Sequence, residues 1–428
     1  MGSGRGLDRI FMTGVSPIVL SDVTSGANTF EDLTWRRPLN DLCGFTRTEL
    51  RDLLRQVVHD GLIEYASEQR IEEISQLMHN FYNGSLFIDD FRNLQMDTLP
   101  KVYNPTLAFY FLKEFQEDKH YPKLLIDQNL VPDDSKLTYI AEYKHGKKLL
   151  GDALNEAKPI HVSTLRKRFG IKNLLNPNLQ RERLAVLLCY LGALTSVGET
   201  PSKKIILDVP NLVMQQLYGE RILEQITKYD EEKIEFGQIA VTTLFEEGKI
   251  QPICTFIERN LFIIYHTKDA ADFKELTLKT LFITLLYQSQ LYIIESEAHL
   301  EQRFGDLLMI VRPGMRTGEL YDILIEFKQL SLAQLTQERD GKTERFDGQK
   351  IKGMRDEALK ELDAVENAFV EAKKQLRHYR QATYRKYGDD LLLRSYAVVG
   401  VGFARIVWDE VSDEDNFQYP SSLHEKKG

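Results

Sequence analysis

A carboxylate and an amine stand close together near the end of an apolar segment, 322–328, which reads DILIEFK. Side chains alternate between the two faces of a strand, so Glu326 and Lys328 point the same way, roughly 6–7 Å apart at ~3.3 Å per residue. This pair suits metal-assisted hydrolysis, in which the carboxylate holds a divalent cation and the ammonium acts on water or an anion. A solvated strand end with a modest ion pair is the alternative interpretation for an isolated pair.

Four further polar residues lie on the elements around this segment. Asp306 stands in the preceding apolar run, FGDLLMIV. Glu275 shares a face with the apolar residues of a helix predicted over 272–288, and a carboxylate aimed at the edge of a core needs a partner or a metal. Gln375 and Tyr379 are four residues apart and therefore share one face of a later helix.

The elements that carry these residues form a layered α/β pattern. The apolar helix is followed by strands in QLYIIESE, FGDLLMIVR and DILIEFK. A long helix is predicted over 354–386, because apolar residues repeat there at alternating steps of four and three. The glycine-bounded SYAVVGVGFA then predicts a buried strand. The order helix, three strands, helix, strand predicts one domain.

The first part of the chain is predicted to be mostly helical. Thr46 and Glu49 in GFTRTELRDLLRQVV have the spacing of a capping box at a helix start. The dipeptides Asn83-Gly84 and Asn104-Pro105 indicate turns between helices.

The middle of the chain has a different pattern. Amphipathic helices over 143–154 and 180–191 precede GALTSV, a turn at 198–202 and KKIILDV. Two strands joined by a short turn after helices resemble a winged-helix module. As an internal domain, such a module either binds DNA or serves as a packing unit, and packing is the more frequent use.

The polar residues, taken in their order, resemble the motifs of the PD-(D/E)XK nuclease superfamily. An acidic residue lies on the first helix, Asp306 on the second strand, the ExK pair on the third, and QxxxY on the second core helix. Gly305 replaces the proline of the superfamily's name, at a position that the superfamily holds loosely. The resemblance implies a C-terminal α/β nuclease domain with a mixed central sheet.

The resemblance also implies a role for each site residue. Asp306 and Glu326 would hold Mg²⁺ or Mn²⁺. Lys328 would orient or deprotonate the attacking water, or stabilise the developing charge. Glu275 would complete the metal shell through water, and Glu297 in SEAHLEQRFGD is the second candidate for that place.

The later helix would position the site and contact the nucleic acid. Gln375 and Tyr379 are the positioning residues that the resemblance implies. Four basic residues of the same helix would contact phosphates: Lys373, Lys374, Arg377 and Arg380. A solvated helix face remains the alternative interpretation of this basic cluster.

The resemblance extends towards the N-terminus. RIFMTGVSPIVLSDVTSG, NDLCGFT, FYNG and VYNP resemble the later part of an AAA-ATPase-like domain that precedes this type of nuclease domain in a large family of bacterial and eukaryotic proteins. Thr13, in the TGVSP motif, would end the nucleotide-sensing strand of that family. The family's Walker A and Walker B elements lie before this point, and here the chain begins after them.

A phosphate-binding loop is not expected in this chain. The partial match to GxxxxGK[ST] is Gly341-Lys342-Thr343, with Thr336 in place of the first glycine. A charged loop does not supply the glycine-rich turn between strand and helix that cradles phosphate. We therefore predict no nucleotide-binding residues and no ATP.

Composition points to an intracellular protein without a membrane segment. The chain has 428 residues, and its three cysteines share no CxxC spacing, which argues against a zinc knuckle or a disulfide framework and favours a reducing, cytoplasmic or nuclear location. A net charge of −9 argues against bulk nucleic-acid packaging, although it allows a local basic channel. The start, MGSGRG, has the appearance of a cloning scar.

We therefore predict an α+β multidomain protein. Residues 1–125 would be a mostly helical remnant of the AAA-ATPase-like domain, 126–230 a winged-helix-like domain, 231–410 the nuclease domain and 411–428 an acidic polar tail. The predicted function is metal-dependent hydrolysis of nucleic acid, with DNA favoured over RNA. The N-terminal region would have a regulatory or assembly role through a protein partner or a homo-oligomer.

A catalytically silent interaction module for nucleic acid or protein, built on a nuclease scaffold, is the alternative function. Asp306, Glu326 and Lys328 favour the enzyme. Each of these groups has a desolvation cost and no role without metal, so a degenerate scaffold would be expected to lose them first.

Overall fold

The computed structural model describes residues 11, 31–59, 67–94, 100–126, 132–155, 159–166, 169, 176, 178–265, 277–287, 290–296, 306–316, 320–339, 342–388 and 390–411. Several positions singled out above lie outside these residues: Thr13 with the rest of TGVSP, Glu275, Glu297, Gly305, Gly341 and the tail 412–428.

The described residues form an α+β structure, as predicted. The α-helices are α1 Arg47–His59, α2 Glu68–Tyr82, α3 Pro105–Asp118, α4 Pro132–Ala141, α5 Gly146–Ala153, α6 Arg181–Tyr190, α7 Leu212–Thr227, α8 Glu231–Glu247, α9 Gln251–Phe256, α10 Leu278–Leu286, α11 Gly348–Gly353, α12 Asp356–Lys360 and α13 Asp363–Tyr387. The strands are β1 Ile160–Val162, β2 Thr195–Glu199, β3 Ile205–Asp208, β4 Tyr292–Ser296, β5 Leu307–Val311, β6 Asp322–Leu330, β7 Thr336–Arg339, β8 Lys342–Arg345, β9 Leu393–Val401 and β10 Arg405–Glu410. Among the helices in the described part of the chain, none is long and apolar enough to cross a membrane.

The start of α1 confirms the predicted capping box. The Glu49 amide donates to Thr46 Oγ1 at 3.3 Å, and the Thr46 amide donates to Glu49 Oε2 at 2.8 Å. These bonds satisfy amides that have no partner within the first turn of a helix. The same interaction lowers the pKa of Glu49, chiefly through the bond from the Thr46 amide.

Replacing Thr46 by Ala is expected to lower the free energy of unfolding by about 1 kcal/mol, the usual effect of losing a side-chain cap. Urea denaturation followed by circular dichroism measures the change. Thr46→Ser keeps the hydroxyl and should stay close to the wild type. Equal stability of the two variants would contradict a contribution from the cap.

The two dipeptides predicted as turns lie at helix ends, Asn83-Gly84 after α2 and Asn104-Pro105 at the start of α3. Gly84 has a positive φ of 112°, and its Cα faces the Pro210 carbonyl so closely that a side chain there would collide with it. Asn104 caps α3 by accepting from the Thr106 amide at 3.0 Å, and Pro105 takes the first helical position, where no amide is needed.

The middle of the chain contains a small antiparallel sheet with the order β1-β3-β2. The predicted helices and the hairpin of β2 and β3 are present, while β1, which pairs with β3, was not predicted. All residues of α6 over 184–190 are buried. This burial leaves no face of that stretch for a DNA groove and favours the packing role.

One apolar cluster joins the predicted segments, since it includes Trp35, Tyr218 and Ile406. A buried arginine side chain connects the N-terminal helical region to the central sheet through hydrogen bonds. Arg312, after β5, donates through Nη2 to the Pro122 carbonyl at 2.9 Å and is completely buried. Desolvation by this burial lowers the pKa of Arg312 to about 10. The predicted domain limits stay predictions. The same apolar cluster contains residues from each of the three predicted domains.

The central sheet is mixed and has the order β10-β9-β6-β5-β4. β6 and β9 run parallel, and the other neighbours run antiparallel. The predicted order of helix, three strands, helix and strand is confirmed by α10, β4 to β6, α13 and β9. The edge strand β10 was not predicted. One face of the sheet packs on α10, where the rings of Phe282 and Phe327 lie 4.9 Å apart, and the other packs on α13.

The single helix predicted over 354–386 is wrong at its start. The chain forms α12 and then breaks at Leu362, whose backbone is extended with φ −71° and ψ 126°. The break lets both Leu359 and Leu362 enter the core. Lys360, between them, donates to the Trp408 carbonyl at 2.8 Å, which ties α12 to β10.

The described residues of the segment that partly matches a phosphate-binding loop form two antiparallel strands. Lys342 and Thr343 belong to β8, which pairs antiparallel with β7, and Thr336 begins β7. This geometry differs from the strand-to-helix turn in which backbone amides surround a phosphate.

Candidate functional site

The candidate site lies on the α13 side of the central sheet, where β5 begins. Leu307 pairs with Ile325 across the antiparallel strands. One further step of this register brings Asp306 opposite Glu326, and alternation puts both on the same side as Lys328. β5 and β6 are neighbours in one sheet, as predicted, although Asp306 immediately precedes β5 and does not lie within it.

Glu326 is a buried carboxylate, and one of its oxygens has no hydrogen-bond partner among the residues that the structure describes. The residue is 4% exposed, and among the described residues no hydrogen-bond donor reaches its buried Oε2. Burial, and then the negative charge of Asp306, raise the pKa of Glu326 to about 7, while Lys328 opposes the shift. A carboxylate in such surroundings is stabilised by a cation or by a proton.

Asp306 is held beside Glu326 by the backbone of the neighbouring strand. The Phe327 amide donates to Asp306 Oδ2 at 2.8 Å. Asp306 itself is half-buried. The bond fixes a second carboxylate next to Glu326, which explains why the two charges interact.

Lys328 is surrounded by three oxygen acceptors. Its Nζ lies 2.7 Å from Gln375 Oε1, 3.3 Å from Glu371 Oε1 and 3.4 Å from Glu326 Oε1. An ammonium group has three hydrogens to donate, so these contacts can use all of them. The structure thus brings Gln375 to the predicted strand pair, and Gln375 positions the ammonium.

Glu371 was not among the predicted site residues. It precedes Gln375 by four residues, so the two side chains lie one above the other on α13. The spacing of four residues from Gln375 is the feature of the sequence that could have predicted Glu371 as a site residue.

Tyr379 lies one turn beyond Gln375 on α13. It is 7% exposed and belongs to the apolar cluster between α13 and the sheet. The structure therefore places Tyr379 where it supports the helix, and its positioning role stays a prediction.

The four basic residues of α13 have different surroundings. Lys374 and Arg377 are exposed. Lys373 forms an ion pair with Asp409 at 2.6 Å. Arg380 is 4% exposed, and its Nη1 donates to Ser395 Oγ at 2.7 Å.

The prediction that Arg380 contacts phosphates is corrected by this burial. Arg380 follows Leu376 by four residues, so both lie on the stripe of α13 that packs on the sheet. Its guanidinium satisfies acceptors at the start of β9, including the Leu393 carbonyl, and stabilises the core.

The donor set that the structure offers fits a hard divalent cation. Across the described ranges, no group of three or more His, Cys, Asp or Glu side chains is arranged to hold a metal. Asp306 and Glu326 supply two carboxylates, and Mg²⁺ is commonly bound through one or two carboxylates with several waters retained. The buried Oε2 of Glu326, which has no partner within the described part of the chain, is an atom that such a cation would satisfy.

No protein-family model, no curated protein and no solved structure matches this chain. Function is therefore inferred from the chemistry of the site itself.

Proposed function

We propose that the protein is a metal-dependent nuclease that hydrolyses phosphodiester bonds. One observation carries the proposal: a buried carboxylate with an unpartnered oxygen, Glu326, lies beside Asp306 and within 3.4 Å of an ammonium that Gln375 holds in place. An unpaired buried oxygen costs free energy, and a bound cation would offset that cost at Glu326.

Each residue then has a defined task. Asp306 and Glu326 would hold Mg²⁺ or Mn²⁺, which when bound neutralises phosphate charge and lowers the pKa of a coordinated water. Lys328 orients the attacking water or stabilises the charge that develops on the phosphate. Gln375 keeps the ammonium at the site. Nucleic acid is the proposed partner, with DNA favoured, and the N-terminal helices have a regulatory or assembly role.

Incubation with plasmid DNA, single-stranded DNA and RNA tests this proposal. Each substrate is combined with Mg²⁺, Mn²⁺ or EDTA, and cleavage is followed on gels. Cleavage that requires a divalent cation is expected. If no substrate is hydrolysed with either metal, the silent interaction module replaces the enzyme as the proposed function.

Reversing the charge of Lys374 and Arg377 together is expected to weaken nucleic-acid binding. Both side chains are exposed, and with Glu371 they follow one another at steps of three residues, so they form an exposed row on α13 that begins at the site. Each lost phosphate contact should reduce the slope of log affinity against log salt by roughly one unit. Fluorescence anisotropy with a labelled DNA duplex at several salt concentrations measures the slope.

A matched control separates local contacts from net charge. Lys113→Glu combined with Arg70→Glu makes the same change in net charge on α3 and α2, where both side chains are exposed. Equal losses of affinity in the two double variants would favour the alternative interpretation, in which the basic residues of α13 form an ordinary solvated face.

A further inference from the structure

Glu371 is the second carboxylate, after Glu326, that contacts the ammonium of Lys328, and it lies at the outer side of the site. Glu371 Oε1 lies 3.3 Å from Lys328 Nζ. The Glu371 side chain is 64% exposed, whereas the Lys328 side chain is 21% exposed. The contact therefore joins a group that solvent reaches freely to one that is mostly enclosed.

The three acceptors around Lys328 differ in how easily they can leave. Glu326 belongs to a strand and is buried, and Gln375 makes the shortest contact, at 2.7 Å. Glu371 is the most exposed of the three, and exposed ion pairs contribute little free energy because water and salt compete with them. An incoming anion would displace Glu371 first.

We infer that Glu371 competes with the substrate's phosphate for Lys328 and so restrains binding in the free protein. This inference rests on the proposed function, because it assigns Lys328 to a phosphate of nucleic acid. Two effects act in the same direction. The carboxylate occupies a hydrogen of the ammonium, and its charge repels a phosphodiester approaching the same place.

The restraint also selects for polymeric substrates. A nucleic acid can contact Lys374 and Arg377 on the same helix while one phosphate displaces Glu371, so the cost of displacement is shared among several contacts. A mononucleotide has no second phosphodiester to make those contacts. Glu371 therefore discriminates against small phosphate compounds at a site that would otherwise attract any phosphate.

Glu371→Gln tests the inference because the amide keeps the shape of the side chain and removes its charge. We expect KM for DNA cleavage to fall about two- to fivefold, the range that an exposed ion pair allows, with kcat unchanged. The dissociation constant of a fluorescein-labelled DNA duplex, measured with Ca²⁺ in place of Mg²⁺, should fall by the same factor. Adenosine monophosphate should inhibit the variant more strongly than the wild type.

Glu366→Gln is the matched control. It makes the same change of charge at another exposed position of α13, five residues earlier and on a different side of the helix. Equal effects of the two variants on KM and on DNA binding would overturn the inference, because they would reflect net charge alone. A rise in KM or a fall in kcat for Glu371→Gln would also overturn it, since Glu371 would then hold Lys328 in its working position.

The two proposals fail in different ways. Cleavage by the wild type with an unchanged KM in Glu371→Gln would remove the restraint and leave the nuclease. Absence of cleavage, combined with tighter DNA binding by Glu371→Gln, would remove the nuclease and leave Glu371 as a competitor for the anion. Absence of both cleavage and DNA binding in every variant would overturn both.

Discussion

Lys328→Ala is expected to reduce the rate of phosphodiester cleavage by about 10²- to 10⁴-fold, the range for losing a positioned proton donor or a charge that stabilises the transition state. The ammonium lies between Glu326 and α13, where Gln375 fixes it at 2.7 Å. A water molecule in the same position would carry no positive charge. Because the side chain acts on water and phosphate, binding of Mn²⁺ should remain largely intact.

Single-turnover cleavage and titration calorimetry with Mn²⁺ measure the two properties separately. Lys328→Met keeps the length and apolar stem of the side chain and should lose as much activity as Lys328→Ala, which separates charge from packing. Wild-type activity in either variant would show that the lysine has no catalytic part, and the silent scaffold would then be favoured.

Glu326→Gln is expected to abolish metal-dependent turnover and, in EDTA, to make the protein more stable at neutral and alkaline pH. The pKa of Glu326 is raised to about 7, chiefly by burial and then by Asp306. An unfolded glutamate has a pKa near 4.5. The folded state therefore binds more protons than the unfolded state between these two values, so stability falls as pH rises through this window.

The size of this effect follows from the shift. At about 1.4 kcal/mol per pKa unit, charging Glu326 costs the metal-free fold between about 3 and 4 kcal/mol once the pH exceeds 7, and nothing below pH 4.5. Glu326→Gln has no such group and should lack this part of the pH dependence. Thermal melts in EDTA from pH 4.5 to 8 measure the difference. Addition of Mn²⁺ should raise the melting temperature of the wild type but not that of the variant.

Asp306→Asn provides the control for the electrostatic cause. Removing the charge of Asp306 should lower the pKa of Glu326, because that charge raises it in addition to burial. The pH range over which stability falls should therefore be narrower in Asp306→Asn. In Glu326→Gln this fall in stability should be absent. If all three proteins lose stability identically between pH 4.5 and 7, another group is responsible.

The sequence alone determined which way several side chains point within their own elements. Alternation in DILIEFK put Glu326 and Lys328 on one face, and β6 has that geometry. The capping box of Thr46 and Glu49 involves groups three residues apart, so it could also be predicted from the sequence. These features depend on fixed repeats of the backbone, and residues beyond the element do not alter them.

The tertiary structure decided which elements meet and which charges become buried. Lys328 meets Gln375 and Glu371 only because β6 packs beneath α13, and these partners are 47 and 43 residues away in the chain. Arg380 appeared to belong with the basic residues of the same helix, but its position on the packed stripe put it in the core. Composition shows that a residue is charged, whereas the crossing of a helix over a sheet determines whether that charge faces solvent, a partner or a phosphate. The raised pKa of Glu326 has the same origin, because desolvation depends on all the chain that surrounds the carboxylate.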